Sequence, residues 1–147
     1  MSVAELEEML HRYIPLSRQM GIAVAKLDER RVELAAEAET NRNHRGTIFG
    51  GSMISLALLA GWAMLLNAVG DFAIAQRLVV KNTKVDFLQP ARLQLRAVCL
   101  VPARELLQEF VQRLSTNDKA TMAVNCSIYD EDNLAARVES LYIAIPS

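Results

Sequence analysis

The sequence predicts a single α+β domain, residues 1–147, in which an antiparallel sheet of five or six strands wraps around one long central helix. Three observations predict it. The chain has 147 residues, 52% of them hydrophobic, which suits one domain on the usual scale of ~100–200 residues with a core of its own. No residue between Arg45 and Asp71 carries a formal charge, and Met53 to Leu66 is broken only by Ser55 and Gly61. Most of the second half alternates apolar and polar residues with the period of two that marks a half-buried strand.

Taken in order, Ser2 and Glu5 have the spacing of a capping box, and Val3, Leu6, Leu10 and Tyr13 recur at helical intervals, so an amphipathic helix opens the chain and Pro15 closes it. Ile22–Leu27 and Val32–Ala38 read as a hairpin around the polar turn Asp28-Glu29-Arg30, with Val32, Leu34, Ala36 and Ala38 on one face and Glu33 and Glu37 on the other. A polar loop, Thr40 to Gly46, leads into the long helix, Gly50 to Val69, which Gly70-Asp71 ends. Leu78–Leu88 alternates Thr83, Val85 and Phe87 against Asn82, Lys84 and Asp86, and Leu93–Val101 alternates Leu93, Leu95, Ala97 and Cys99 against Gln94 and Arg96. A helical insertion near 103–115 follows, because Leu106, Leu107, Phe110, Val111 and Leu114 share one helical face. Strands near Ala120–Tyr129 and Leu134–Ile145 complete the chain around the acidic turn Asp130–Asn133.

Composition excludes several function classes. With 16 Lys and Arg against 17 Asp and Glu, the net charge is −1, which argues against disorder and against nucleic-acid binding through bulk positive charge. The N-terminus is acidic and lacks the basic and apolar regions of a secretory signal, so a cytoplasmic protein is expected. The uncharged segment has the ~20 residues of a membrane span, but its strictly apolar core is nearer the ~10–14 of a buried helix, and burial under a sheet is the preferred reading. Cys99 and Cys126 lie in apolar stretches without a CxxC pair or a nearby histidine. Reduced core thiols are expected, and a disulfide between them stays open. Trp62, Met20, Met53, Met64 and Met122 read as core.

The chemistry concentrates in Asn41-Arg42-Asn43-His44-Arg45-Gly46-Thr47-Ile48-Phe49-Gly50-Gly51-Ser52, a polar loop that runs into the start of an apolar helix. The first N–H groups of a helix have no intrahelical acceptor and sit at the positive end of its dipole, where they suit a carbonyl oxygen becoming an oxyanion. Gly50 and Gly51 let a ligand approach that backbone, and Asn41, Asn43 and Thr47 supply polar groups at the same entrance. Arg42, Arg45, Arg77, Lys81, Lys84 and Arg92 form a candidate basic rim for a phosphate or an acidic carrier protein.

These residues resemble the hot-dog superfamily. The run Asn43 to Gly51 is similar to the PaaI-type thioesterase pattern of Asn, two residues, Gly, two residues, His, Gly, Gly. The wider string NRNHRGTIFGGS, with LAGW at Leu59–Trp62 and DFLQPA at Asp86–Ala91, resembles one branch more closely: the thioesterase-like family of the YiiD C-terminal domain, some members of which are malonyl-ACP decarboxylases. The resemblance implies a hot-dog fold that wraps its sheet around the central helix, a homodimer or dimer of dimers, and an acyl thioester of CoA or of acyl carrier protein as substrate. It implies no cofactor and no metal, since phosphopantetheine arrives as part of the substrate; no nucleic acid or membrane partner is expected.

Two departures bear on mechanism. Phe49 stands where the thioesterases have histidine, and Leu58 where a carboxylate acts two turns into the helix; neither Asp nor Glu occurs between Glu39 and Asp71. Hydrolysis needs an activated water or a captured acyl group, and an aliphatic side chain offers neither. Decarboxylation of a malonyl thioester needs no base to begin: its electrons flow into the thioester carbonyl, so oxyanion donors, a group to orient the carboxylate and an apolar wall suffice. The expected catalytic set is Asn43, Thr47 and the N–H groups of Gly51 and Ser52, with Asn41, His44, Arg45, Phe49, Gly50 and Leu58 around the substrate. Which of Asn41 and Asn43 points into the site stays open. The leading expectation is malonyl-ACP decarboxylation for fatty-acid initiation. The rivals are an acyl-CoA or acyl-ACP thioesterase and a non-catalytic acyl-thioester binding module.

Overall fold

The structure, a computed structural model, describes residues 1–146. Helix α1 spans Val3–Tyr13 and starts with the expected capping box: the Ser2 hydroxyl accepts from the Glu5 N–H at 3.1 Å, and the Ser2 N–H donates to the Glu5 carboxylate at 2.7 Å. After Pro15 the chain makes one further helical turn, α2 (Leu16–Gln19), which the sequence did not announce. Strands β1 (Ala23–Leu27) and β2 (Arg31–Ala36) form the expected hairpin, its turn held by Asp28 Oδ1, which accepts from the N–H groups of Arg30 and Arg31.

Next come α3 (Gly50–Val69), α4 (Phe72–Ala75), β3 (Leu78–Phe87), β4 (Leu95–Leu100), α5 (Arg104–Ser115), β5 (Thr121–Asp130) and β6 (Asn133–Ala144). All strand pairs are antiparallel in one six-stranded sheet of order β1-β2-β4-β5-β6-β3. The sheet curls around α3, whose Leu56, Ala60, Ala63, Met64, Leu65 and Leu66 are fully buried. By length and composition α3 is long and apolar enough to cross a membrane; here more than half of that stretch lies inside the fold. Gly70 ends it at φ 72°, a left-handed conformation that glycine adopts without a Cβ penalty.

The structure corrects several details. Leu93, expected to face inward on a strand, is 66% exposed. The Asp130 carboxylate accepts from the consecutive N–H groups of Arg92, Leu93 and Gln94, so these residues form a loop and β4 begins at Leu95. Glu33, expected on the open face, is buried and paired with Arg31 and Arg96, both at 3.2 Å. Arg77, expected on the basic rim, is also buried. Its guanidinium donates to the carbonyls of Ile145 and Leu114, tying the end of β6 to the C-terminus of α5. Leu106 on α5 is exposed, and only Phe110 and Leu114 of its apolar face are buried. Cys99 and Cys126 are free, buried and directly opposite each other across β4 and β5. Cys126 Sγ donates to the Ala57 carbonyl of α3.

Candidate active site

The loop 41–49 is a small closed structure that delivers the chain to α3. Arg42 and Ile48 form an isolated antiparallel bridge, and the Asn43 N–H donates to the Thr47 carbonyl at 2.7 Å. The buried Asn41 anchors one side: its Nδ2 donates to the carbonyls of Met20 and Glu37, and its own carbonyl accepts from the Phe49 N–H. The N–H of the buried Ile48 donates to the Ala91 carbonyl, which fastens the loop to the irregular segment 88–94 between β3 and β4. Arg42 braces the outside through Glu39 and the carbonyls of Gly46 and Arg92.

The structure therefore separates the two asparagines. Both N–H bonds of Asn41 go to main-chain carbonyls, so its amide serves to hold the loop. Asn43 is partly open: Oδ1 accepts from the N–H groups of Arg45 and Thr47, and Nδ2 donates to Thr47 Oγ1 at 2.8 Å. One Asn43 N–H stays without a protein acceptor, and Thr47 Oγ1, already accepting, has its own hydrogen to give. His44, Arg45 and Gly46 form the exposed tip.

Helix α3 begins without a side-chain cap; Phe49, at the cap position, has φ −60° and ψ 129°. Its carbonyl accepts from the N–H groups of Ser52 at 3.0 Å and Met53 at 3.3 Å. This revises one expectation: the Ser52 N–H is engaged within the first turn, and the free pair of amides belongs to Gly50 and Gly51. Two rings frame them. Phe49, 57% exposed, lies so near Gly51 that a Cβ there would meet its Cε2 at 2.4 Å, and the Phe87 ring at the end of β3 lies 3.2 Å from where a Gly50 Cβ would be. Leu58 is partly open two turns further on.

Donors dominate this end of the molecule. The carboxylates attached to the loop and its supports are engaged: Glu39 pairs with Arg42 at 2.8 Å, and Asp130 holds three amides. Among the described residues no group of three His, Cys, Asp or Glu side chains is placed to hold a metal. Sequence reading missed Ser55, one turn beyond Gly51 on the open side of α3, whose hydroxyl has no hydrogen-bond partner; its i+4 spacing from Gly51 was the available signal. A separate cavity of about 510 Å³ between α5 and β5, lined by Glu109, Arg113 and Lys119, shares no residue with the loop.

A six-stranded antiparallel sheet wrapped on one apolar helix, with a polar loop opening onto the helix start, defines a hot-dog domain. Solved structures share this fold. The fold matches a protein of unknown function from Chlorobaculum tepidum TLS with a TM-score of 0.89 and 25% identity over 99% of this chain and 94% of that one. It matches a structure described as a putative thioesterase from Shewanella oneidensis with a TM-score of 0.85 and 22% identity, covering 98% and 97% of the two chains. It also matches a thioesterase from Haemophilus influenzae with a TM-score of 0.70 and 14% identity over 99% and 92%. The sequence profile of the family described as "Putative thioesterase (yiiD_Cterm)" matches residues 3–146, and the chain belongs to that family.

Proposed function

We propose that this site decarboxylates a malonyl thioester carried on acyl carrier protein or CoA, giving the acetyl thioester that primes fatty-acid synthesis. One observation carries the reading: four unengaged donors, the N–H groups of Gly50 and Gly51, an Asn43 amide N–H and the Thr47 hydroxyl, cluster at the start of a helix whose open face holds Leu58 and no carboxylate. The thioester oxygen sits on the Gly50 and Gly51 amides, and Asn43 and Thr47 hold the carboxylate across the C–C bond. That bond breaks, its electron pair moves into the carbonyl to give an enolate held by the amides, and carbon dioxide leaves. The α-carbon then takes up a proton, for which the exposed His44 side chain on the loop is the candidate donor. Phe49 and Leu58 form an apolar wall that disfavours the charged carboxylate and not the delocalised transition state.

A homodimer, or a dimer of dimers, completes the site. The open stripe of α3 and the unpaired edge of β3, with exposed Val79, Val80 and Phe87, are surfaces that a second copy would cover. A thioesterase is the second reading, favoured by an apolar cavity of about 460 Å³ beside Leu58, larger than a malonyl group requires.

Asn43→Asp tests the assignment, because it keeps the oxygen that accepts from Arg45 and Thr47 but loses the N–H donor. Release of carbon dioxide from malonyl thioester should fall by about 10²–10³, the usual effect of losing one such donor. Turnover near wild type in a folded Asn43→Asp protein would overturn the role.

A further inference from the structure

The cavity of about 510 Å³ lies where the chain doubles back through residues 116–120, between α5 and the start of β5. Along α5 it runs from Leu106 to Arg113, about 10 Å at ~1.5 Å per residue. One end is apolar. Phe110, Ala120 and Met122 are buried beneath it, and Leu106 stands 58% exposed on its wall. The other end, at the turn, is cationic. Lys119 is exposed and has no hydrogen-bond or ion-pair partner among the described residues, and Arg113 meets Glu109 only at 3.7 Å, with both side chains more than half exposed. The C-terminus of a helix ordinarily repels an anion, but the last carbonyls of α5 are already taken. That of Leu114 accepts from Arg77 Nη1 and the Asn117 N–H, that of Arg113 from the Asp118 N–H, and that of Gln112 from the Ser115 hydroxyl. Arg77 is buried, forms no ion pair among the described residues, and has no partner for its Nη2. Three cations, Arg77, Arg113 and Lys119, therefore stand around this end against the two carboxylates of Glu109 and Asp118, and the Asp118 carboxylate already accepts from the Thr116 hydroxyl.

We propose that this groove is a second binding site, for a free medium-chain carboxylate: the head group lies between the Lys119 ammonium and the Arg113 guanidinium, and the hydrocarbon runs along α5 to Leu106. The two ends of the groove match the two ends of such a molecule. A carboxylate accepts charge-assisted hydrogen bonds from the ammonium and the guanidinium fork, and the chain takes the surface of Leu106 out of water. A single negative charge balances the excess of one cation at the turn, whereas a polyphosphate would bring more charge than Glu109 and Asp118 allow. Arg77 contributes through its field from behind the last turn of α5 and does not line the cavity. The site shares no residue with the loop 41–49 or with the surfaces of α3 and β3, so it is independent of the reaction proposed there.

The test is calorimetry on the full chain with acetate, hexanoate, octanoate and decanoate, and with 1-octanol as the uncharged control. Affinity should rise with length by up to about fourfold per methylene. Octanoate should bind more tightly than octanol, and that advantage should shrink as salt is raised from about 20 to about 300 mM. Lys119→Met keeps the apolar stem and loses the charge, so it should weaken octanoate about three- to tenfold and leave octanol unchanged. Leu106→Gln, at an exposed helical position, should weaken decanoate more than hexanoate. Octanol binding as tightly as octanoate would overturn the head-group site, and octanoate binding unaffected by both variants would overturn the groove as its location. No binding of decanoate at millimolar concentration would overturn the proposal outright. A changed oligomeric state in Leu106→Gln would also overturn it, by giving the groove to a second copy of the chain.

Discussion

Gly61→Ala sets two well-understood effects against each other. In an exposed helix interior the change is favourable by about 1 kcal/mol, since alanine costs less backbone entropy. At position 61 a Cβ would lie 2.4 Å from the Tyr142 hydroxyl oxygen, 2.9 Å from Cζ and 3.0 Å from Cε2. Tyr142 is 1% exposed and cannot swing into solvent. To admit the methyl, the ring must shift, at an overpacking cost of ~1–3 kcal/mol, and give up its hydrogen bond to the Leu58 carbonyl, leaving a buried hydroxyl unsatisfied at about 1–3 kcal/mol. Against the helical gain, a net loss of about 2–4 kcal/mol is expected. At ~2–4 °C per kcal/mol for a chain of this size the melting temperature falls by about 4–16 °C. Urea unfolding followed by circular dichroism measures it. Adding Tyr142→Leu, which withdraws the ring, should recover about 1–2 kcal/mol as a coupling energy. A Gly61→Ala protein as stable as wild type, or more stable, would refute the reasoning.

Two further outcomes follow from buried groups. Burial and the Cys99–Cys126 contact raise the Cys126 thiol above its ordinary value of 9.0, the contact with Cys99 being the larger cause, and burial raises the Tyr142 phenol above 10.0. In the unfolded chain each loses its proton first, so stability is full below pH 9 and declines above it by about 1.4 kcal/mol per pH unit for each group titrating; denaturant titrations from pH 8 to 11 should show the onset near 9, shifted toward 10 in Cys126→Ala. Arg77→Met removes charged hydrogen bonds to the carbonyls of Leu114 and Ile145, worth ~1.5–3 kcal/mol each, partly offset by not burying the charge. A loss of about 2–4 kcal/mol by urea unfolding is expected, and unchanged stability would mean that the desolvation cost cancels both bonds.

Periodicity and end signals were enough to place α3, because an uncharged run closed by Gly70 leaves few alternatives, and to place the β1–β2 hairpin around Asp28. What sequence could not show depends on partners far along the chain. Leu93 reads as an inward strand residue until Asp130 is found holding its N–H, and Arg77 reads as a surface cation until the carbonyls of Leu114 and Ile145 are found around it. The loop's chemical character was legible in its residue types. The division of labour within it was not: it takes the bonds from Asn41 to Met20 and Glu37 to separate an anchor from Asn43, and the Phe49 carbonyl to take Ser52 out of the donor pair. The cavity beside Leu58 draws its walls from α1, α3, α4, β3 and β6, and no local pattern could assemble it.

The most direct measurement is mass spectrometry of malonyl-ACP and malonyl-CoA after incubation with the purified protein, with free thiol assayed in parallel. Loss of carbon dioxide with the thioester intact is the predicted result. Thiol release without decarboxylation would contradict it and make the chain a hydrolase whose base lies outside α3.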